Sequence, residues 1–238
     1  MVDKPGHRKK KKTPWGKITA AVIGVLIVGA IGYYVYDTYI YSPPPVYARL
    51  GTSQGYIYAE LFPACTPRTV ANFVNLTQTG FYTNLVWHRI VNNPTAPEFV
   101  IQTGDPNTKN AVNSTRSTWG MGQSKQQVPF EWCGWLHNYA GYIGMASTAQ
   151  KGPSTSQFYI MLSNNTSYLN TLDGNYTVFG KVISGMSVVC TIASVNTYPE
   201  NSTLKEQPVN PASAMLDNVT ILQQAQAPTS QPIAACKS

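Results

Sequence analysis

The chain has 238 residues, 43% of them hydrophobic, with 15 Tyr and 5 Trp; that is enough apolar material for a sizeable core and too much for a disordered protein. Its formal charge of +7 would point to nucleic acid or another acidic partner if it were spread evenly. It is not: residues 1–45 hold seven Lys or Arg against Asp3 and Asp37, which leaves only +2 on the other 193 residues, so no nucleic-acid partner is expected.

The neighbouring segment gives the basic cluster another reading. Residues 1–17 form a basic tail, and Ile18–Tyr36 (ITAAVIGVLIVGAIGYYVY) is nineteen residues without a charge, long enough to cross a hydrocarbon core as a helix. Trp15 on one flank and Tyr33, Tyr34 and Tyr36 on the other suit the membrane interface, and the lysines mark the cytoplasmic side. The sequence predicts one N-terminal transmembrane helix over residues 18–36, with a cytoplasmic N-terminus and everything beyond it extracytoplasmic. A cleaved secretory signal is the rival, but its apolar region is usually shorter and ends in small residues. Residues 37–45 end in Pro43, Pro44 and Pro45, a short stiff spacer because consecutive prolines favour an extended polyproline geometry.

From Val46 to Gln223 the pattern changes to short apolar or alternating runs separated by Gly, Asn, Asp and Pro: VYARLG, GYIYAELF, LVWHRIV, EFVIQTGD, GYIGMAS, SQFYIML, YTVFGKVI and AMLDNVTIL. Such spacing predicts an all-β sandwich or barrel. Two stretches have helical spacing instead. In TPRTVANFVNLTQTG, Thr66 can cap, Pro67 suits the first helical position, Val70, Phe73 and Val74 form a stripe, and Gly80 can end the helix. In GMSVVCTIASV the stripe is Met186, Val189, Cys190 and Ala193. One domain over residues 46–223, with eight strands and two helices, accounts for the region; residues 224–238, rich in Gln, Ala, Pro and Ser, read as a flexible tail with little to pack.

The cysteines, Cys65, Cys133, Cys190 and Cys236, lack CxxC spacing, so no structural metal is expected. Export would permit disulfides in any of three full pairings, and Cys190 could equally be core. Asn-x-Ser/Thr triplets stand at Asn75, Asn113, Asn164, Asn165, Asn175, Asn201 and Asn218, as in a glycosylated surface protein.

Reaction machinery is sparse. There is no GxSxG elbow, P-loop or dinucleotide glycine pattern, and beyond the tail the histidines are His88 and His137; hydrolysis, phosphoryl transfer and hydride transfer lose ground. Arg89, in the middle of LVWHRIV, reads on spacing alone as a surface arginine on a half-exposed strand. Taken with Phe99, Gln102, Gln157 and Tyr159, it suits a reaction that moves no proton and forms no covalent bond.

Three long segments in order, WHRIV…EFVIQTGD, GYIGMAS…GPSTSQFYIML and LDGNYTVFGKVISGM, resemble the successive signature segments of the cyclophilins, the peptidyl-prolyl cis/trans isomerases, and the resemblance runs from about Val46 to Leu222. It implies a closed eight-stranded antiparallel β-barrel capped by two α-helices, acting on X-Pro bonds of polypeptides without metal or cofactor. Carried over residue by residue, it implies that Arg89 is the catalytic arginine and His88 its neighbour. Phe99, Val100 and Gln102 would begin the proline site. Ala146, Ser147 and Thr148 would line the substrate groove, and Gln157, Tyr159, Leu172 and Tyr176 would complete the wall. Gln102 and Gln157 would fix the guanidinium and the substrate backbone.

Several positions depart from the pattern. IVNNPTAPE places about five extra residues between Arg89 and Phe99, a comparison resting on the resemblance and the ordinary length of a short turn. Ser147 replaces an amide, Thr103 a glycine, and Tyr159 a phenylalanine, adding a hydroxyl to the pocket; Tyr176 stands where many members have His. Thr171 stands where cyclosporin-sensitive members have Trp, so cyclosporin binding should be weak. Isomerisation of exported or surface polypeptides is the expected function; a non-catalytic module holding proline-containing segments is the alternative.

Overall fold

The computed structural model describes residues 15–35, 43–92 and 99–236. The chain divides into two compact units, Met1–Pro43 and Pro44–Ser238. In the first, helix α1 spans Trp15–Val35. Its described side chains, including Val22, Val25, Leu26 and Val28, are exposed, but they cover only residues 19–20 and 22–34. Among the described residues no helix is long and apolar enough to cross a membrane. The basic tail through residue 14 and most of the proline spacer lie outside the described residues.

Among the described residues the second unit is built on one antiparallel sheet of nine strands: β1 (Val46–Thr52), β2 (Gly55–Leu61), β3 (Leu85–Val86), β4 (Arg89–Ile90), β5 (Val100–Thr103), β6 (Tyr142–Met145), β7 (Phe158–Met161), β8 (Val178–Ser184) and β9 (Met215–Leu222). Their order is β3-β9-β1-β2-β8-β6-β7-β5-β4. The fold is all-β, but the closed eight-stranded barrel is corrected to a curled nine-stranded sheet. The reason lies in LVWHRIV, expected as one strand. Leu85 and Val86 pair with β9, Arg89 and Ile90 pair with β5, and Trp87 and His88 between them belong to neither strand. The two ends of the sheet are therefore consecutive in the chain and joined by two residues.

Alternation along the strands fills the inner face. Ala48 and Leu50 of β1, Ile57, Ala59 and Leu61 of β2, and Ile143 of β6 are buried. Phe158 meets the rings of Phe73, Tyr82 and Trp87 edge-on at centroid distances of 5.5, 5.6 and 5.8 Å, a favoured geometry for aromatic pairs.

Helix α2 (Pro67–Gln78) packs Val70, Phe73 and Leu76 onto this core. Pro67 occupies its first turn as expected, but Thr66 makes no capping bond with its side chain. The carboxylate of Glu131 takes that role, accepting from Arg68 N (3.1 Å) and from Thr69 N and Oγ1 (2.8 and 2.7 Å), where an anion also favours the helix dipole. Gly80, at φ +71, closes the other end: Gly80 N–H donates to Thr77 O and Phe81 N–H to Leu76 O, a Schellman arrangement. Helix α4 (Met186–Ala193) buries Val189, Ile192 and Ala193. A further helix, α3 (Thr166–Leu172), was not expected; Asn165 caps it by accepting from Ser167 N.

The cysteines pair Cys65 with Cys133 and Cys190 with Cys236. The second bridge anchors the C-terminal segment at its far end: Gln231 N–H donates to Ile183 O (2.8 Å), Cys236 N–H donates to Leu162 O (3.0 Å), and Cys236 is buried in the main core, while most residues between 224 and 235 are exposed.

Candidate active site

The strand registers assemble the site from positions far apart in sequence. Arg89 stands opposite Gln102, Gln102 opposite Tyr159, and Tyr159 opposite Gly144. Residues directly opposite share a face of the sheet, and the next row, Ile90, Ile101, Ile160 and Ile143, is buried in the core. Arg89, Gln102 and Tyr159 therefore form a row on the outer face of β4, β5 and β7. Gly144 is required there, because a Cβ would lie 2.3 Å from the Tyr159 ring.

Two environments border the row. On the polar side is a cavity of about 210 Å³ lined in part by Gln102, Gln157, Ala146, Ser147 and Thr148. Gln157 is buried; it donates to Gly120 O (3.0 Å) and Gly122 O (2.8 Å) and accepts from Gln102 Nε2 (2.9 Å). Gln102 is thus tied to Gln157, whereas the sequence reading had both amides fixing the guanidinium and the substrate. Ser147 Oγ donates to Pro153 O and Ala146 N–H to Gln157 O, which fixes that wall.

On the apolar side, Val100, Tyr159, Met161 and Leu172 form a second buried cluster, with Phe99, Tyr168 and Tyr176 against it. Phe99 stacks on Tyr168 of α3 at 4.1 Å between centroids, and the Arg89 guanidinium carbon lies 6.0 Å from the Phe99 ring centre. Tyr168 was not anticipated. The Tyr159 hydroxyl does not stand free in a pocket: it donates to Asn138 Oδ1 (2.6 Å), and Asn138 Nδ2 donates to Asp173 (2.8 Å). Burial pushes this phenol well above its usual range, with Tyr176 and Asp173 adding to the effect. Tyr159 is therefore a neutral, anchored floor.

Arg89 has a half-exposed side chain and an ion pair that the sequence reading missed: its Nε donates to Glu206 Oε2 at 2.7 Å. Their separation of 117 residues leaves no local pattern by which to pair them. Most of the insertion after Arg89, residues 93–98, lies outside the described residues.

His88 is buried rather than lining the cavity, and neither ring nitrogen makes a hydrogen bond of good geometry. Burial pushes its pKa down to about 4, partly offset by the Asp105 carboxylate. Between this value and about 6.5 the unfolded chain binds a proton that the folded chain excludes, so stability should fall as pH drops through that window. Melting curves across it should fall more steeply for the wild type than for His88→Gln; parallel curves would mean the ring is not held neutral.

These residues match a known pattern at the level of whole chains. Residues 47–214 match the family model described as cyclophilin type peptidyl-prolyl cis-trans isomerase/CLD. The chain belongs to the cyclophilin family. It is 36% identical over 157 residues to peptidyl-prolyl cis-trans isomerase-like 1 of Aspergillus fumigatus, covering 65% of this chain and 86% of that one. It is 30% identical over 207 residues to an Acinetobacter baylyi peptidyl-prolyl cis-trans isomerase, covering 85% and 97%. A Cryptosporidium parvum cyclophilin type isomerase, solved in the presence of the dipeptide Ala-Pro, superposes with a TM-score of 0.60 at 27% identity, covering 75% of this chain and 99% of that one. This cyclophilin is thus a peptidyl-prolyl cis-trans isomerase, and the row on its outer sheet face is the candidate site of that activity.

Proposed function

We propose that this cyclophilin isomerises X-Pro bonds in exported or surface polypeptides, with Arg89 stabilising the twisted amide. The observation that carries the reading is the placement of Arg89: a half-exposed guanidinium on the outer sheet face, in one row with Gln102 and Tyr159 and beside the Phe99 ring.

The physical case starts from the substrate. Amide resonance makes an X-Pro bond isomerise over roughly tens to hundreds of seconds. At the twisted transition state resonance is lost, and the proline nitrogen becomes pyramidal with a free lone pair. A guanidinium donor aimed at that nitrogen binds the twisted state more tightly than either planar state, which is what lowers a barrier. Arg stays charged and holds its donors in a rigid fork. Phe99, Leu172 and Tyr176 would grip the proline ring over the Tyr159 floor. The preceding residues would lie along Ala146, Ser147 and Thr148, next to the locked Gln102–Gln157 pair. A protease-coupled assay on a prolyl peptide tests the activity of the chain directly, and a rate equal to the uncatalysed one would sink the reading.

Thr171, exposed on α3 with its hydroxyl bonded back to Ser167 O (2.9 Å), offers no indole to a large cyclic ligand. Cyclosporin should therefore inhibit poorly, and inhibition at nanomolar concentration would overturn that expectation.

The membrane reading rests on the sequence, namely the uncharged run Ile18–Tyr36 and the lysines before it. Two disulfides suit an oxidising exterior. The chain should stay with membranes after alkaline extraction, and protease added to intact cells should remove the isomerase domain; a soluble or protected domain would refute the placement.

A further inference from the structure

We propose that Glu206 is the positioning residue of the isomerase site, holding the Arg89 guanidinium by Nε so that both Nη nitrogens remain for the substrate. The proposal rests on the reading of Arg89 as the catalytic group.

A half-exposed arginine has several rotatable bonds, and ordering it against a substrate costs conformational entropy in every turnover unless something holds it beforehand. Gln102, one of the two expected holders, turns its Nε2 to Gln157 and, among the described residues, makes no bond to Arg89. The bond from Nε to Glu206 (2.7 Å) fixes the guanidinium near its stem, and among the described residues neither Nη nitrogen is bonded. One of the five donors is used, and the outer fork is left available.

The construction around Glu206 goes beyond a chance surface pair. Its backbone sits at φ +63, a left-handed conformation that is costly for any residue with a Cβ and persists only where its surroundings enforce it. Here they do so on both sides: Glu206 N–H donates to Tyr198 O (3.2 Å), and Glu206 O accepts from Ile90 N–H (2.8 Å), the residue next to Arg89. The arm that carries it, residues 196–209, is closed by Tyr198 N–H to Gln207 O and Val209 N–H to Asn196 O. The arm is in turn fastened to Arg116, whose Nη2 donates to Val209 O (3.1 Å) and whose carbonyl accepts from Gln207 Nε2 (3.0 Å). Arg116 is itself buried, with Trp119 and Tyr198 rings at 5.1 and 5.4 Å.

A second acid in the same arm provides the contrast. Glu200 meets Lys205 at 3.8 Å with both side chains more than half exposed, whereas the Glu206 side chain is only 16% exposed. A turn that needed only the positive φ would be better served by Gly or Asn; a carboxylate there is explained by the arginine it faces.

The test uses the full chain with E206Q, E206G, the control E200Q and R89A, read by turnover of a prolyl peptide and by the NMR signal of the Arg89 Nε–H. E206Q should lower kcat by about tenfold with KM moved less than about twofold, because orientation is needed most in the transition state, and it should weaken or broaden the Nε–H signal. E206G should lose at least as much rate while melting no lower than wild type, since glycine accepts this backbone conformation; that separates positioning from fold stability. E200Q should match wild type. An E206Q enzyme as fast as wild type beside a crippled R89A would overturn the proposal alone, and a faster one would mean that the carboxylate restrains the arginine. A wild type without isomerase activity would remove the reading on which the proposal rests.

Discussion

Arg89→Ala should lower kcat/KM on a prolyl peptide by about a hundredfold, the loss typical of removing one preorganised donor from a transition state. The fold should survive, because the arginine removed is half-exposed, although the largely buried Glu206 side chain loses its partner. Affinity for a ground-state prolyl peptide should change much less than the rate, since Phe99, Leu172 and Tyr176 would still hold the ring. Arg89→Lys separates charge from geometry: an ammonium keeps the charge but has neither a nitrogen at the Nε position for Glu206 nor a fork beyond it. It should therefore resemble Ala more than wild type. A Lys variant close to wild type would mean that charge alone suffices, and an unaffected Ala variant would remove Arg89 from the chemistry.

Cys236→Ser should destabilise the domain by about 4 kcal/mol, the chain-entropy value for a bridge spanning 46 residues. For a domain of this size that corresponds to a fall of roughly 10 °C in Tm. The effect should exceed simple loss of the crosslink if the C-terminal segment leaves with it, because Gln231 and Cys236 also bond to Ile183 and Leu162. Limited proteolysis after residue 223 should then become rapid. Reducing agent should carry the wild type below the variant, since it also opens Cys65–Cys133, a closure of 68 residues. A variant melting within about 2 °C of wild type would show that the segment is held by its other contacts, given that such bridges span a wide range of effect.

What was legible in the sequence follows the range of each interaction. All eight alternating runs became strands, because a period of two is written locally. The helix over Pro67–Gln78 was legible at both ends through Pro67 and Gly80, whereas its actual cap, Glu131, comes from 62 residues away. Helix α3 was missed because TSYLNTL is too short for a repeating stripe; Asn165 as its cap was the available signal. The split of LVWHRIV into β3 and β4 depends on which distant strands each half meets. The row of Arg89, Gln102 and Tyr159 was legible through resemblance and then placed by register. Glu206 and Tyr168 were not, since a partner in a long loop or on a short helix leaves no spacing to read. The hydroxyl of Tyr159 was misread for the same reason: Asn138, which takes it up, lies 21 residues away.

The short link Trp87–His88 between β3 and β4 bears on how this protein meets its own kind and its clients. An isomerase of unfolded segments must handle extended chains, and an extended chain adds most readily to an open row of backbone donors and acceptors. Here both terminal strands of the sheet are two residues long, and the second begins two residues after the first stops. Each terminal strand therefore offers an incoming polypeptide a ladder of only two residues.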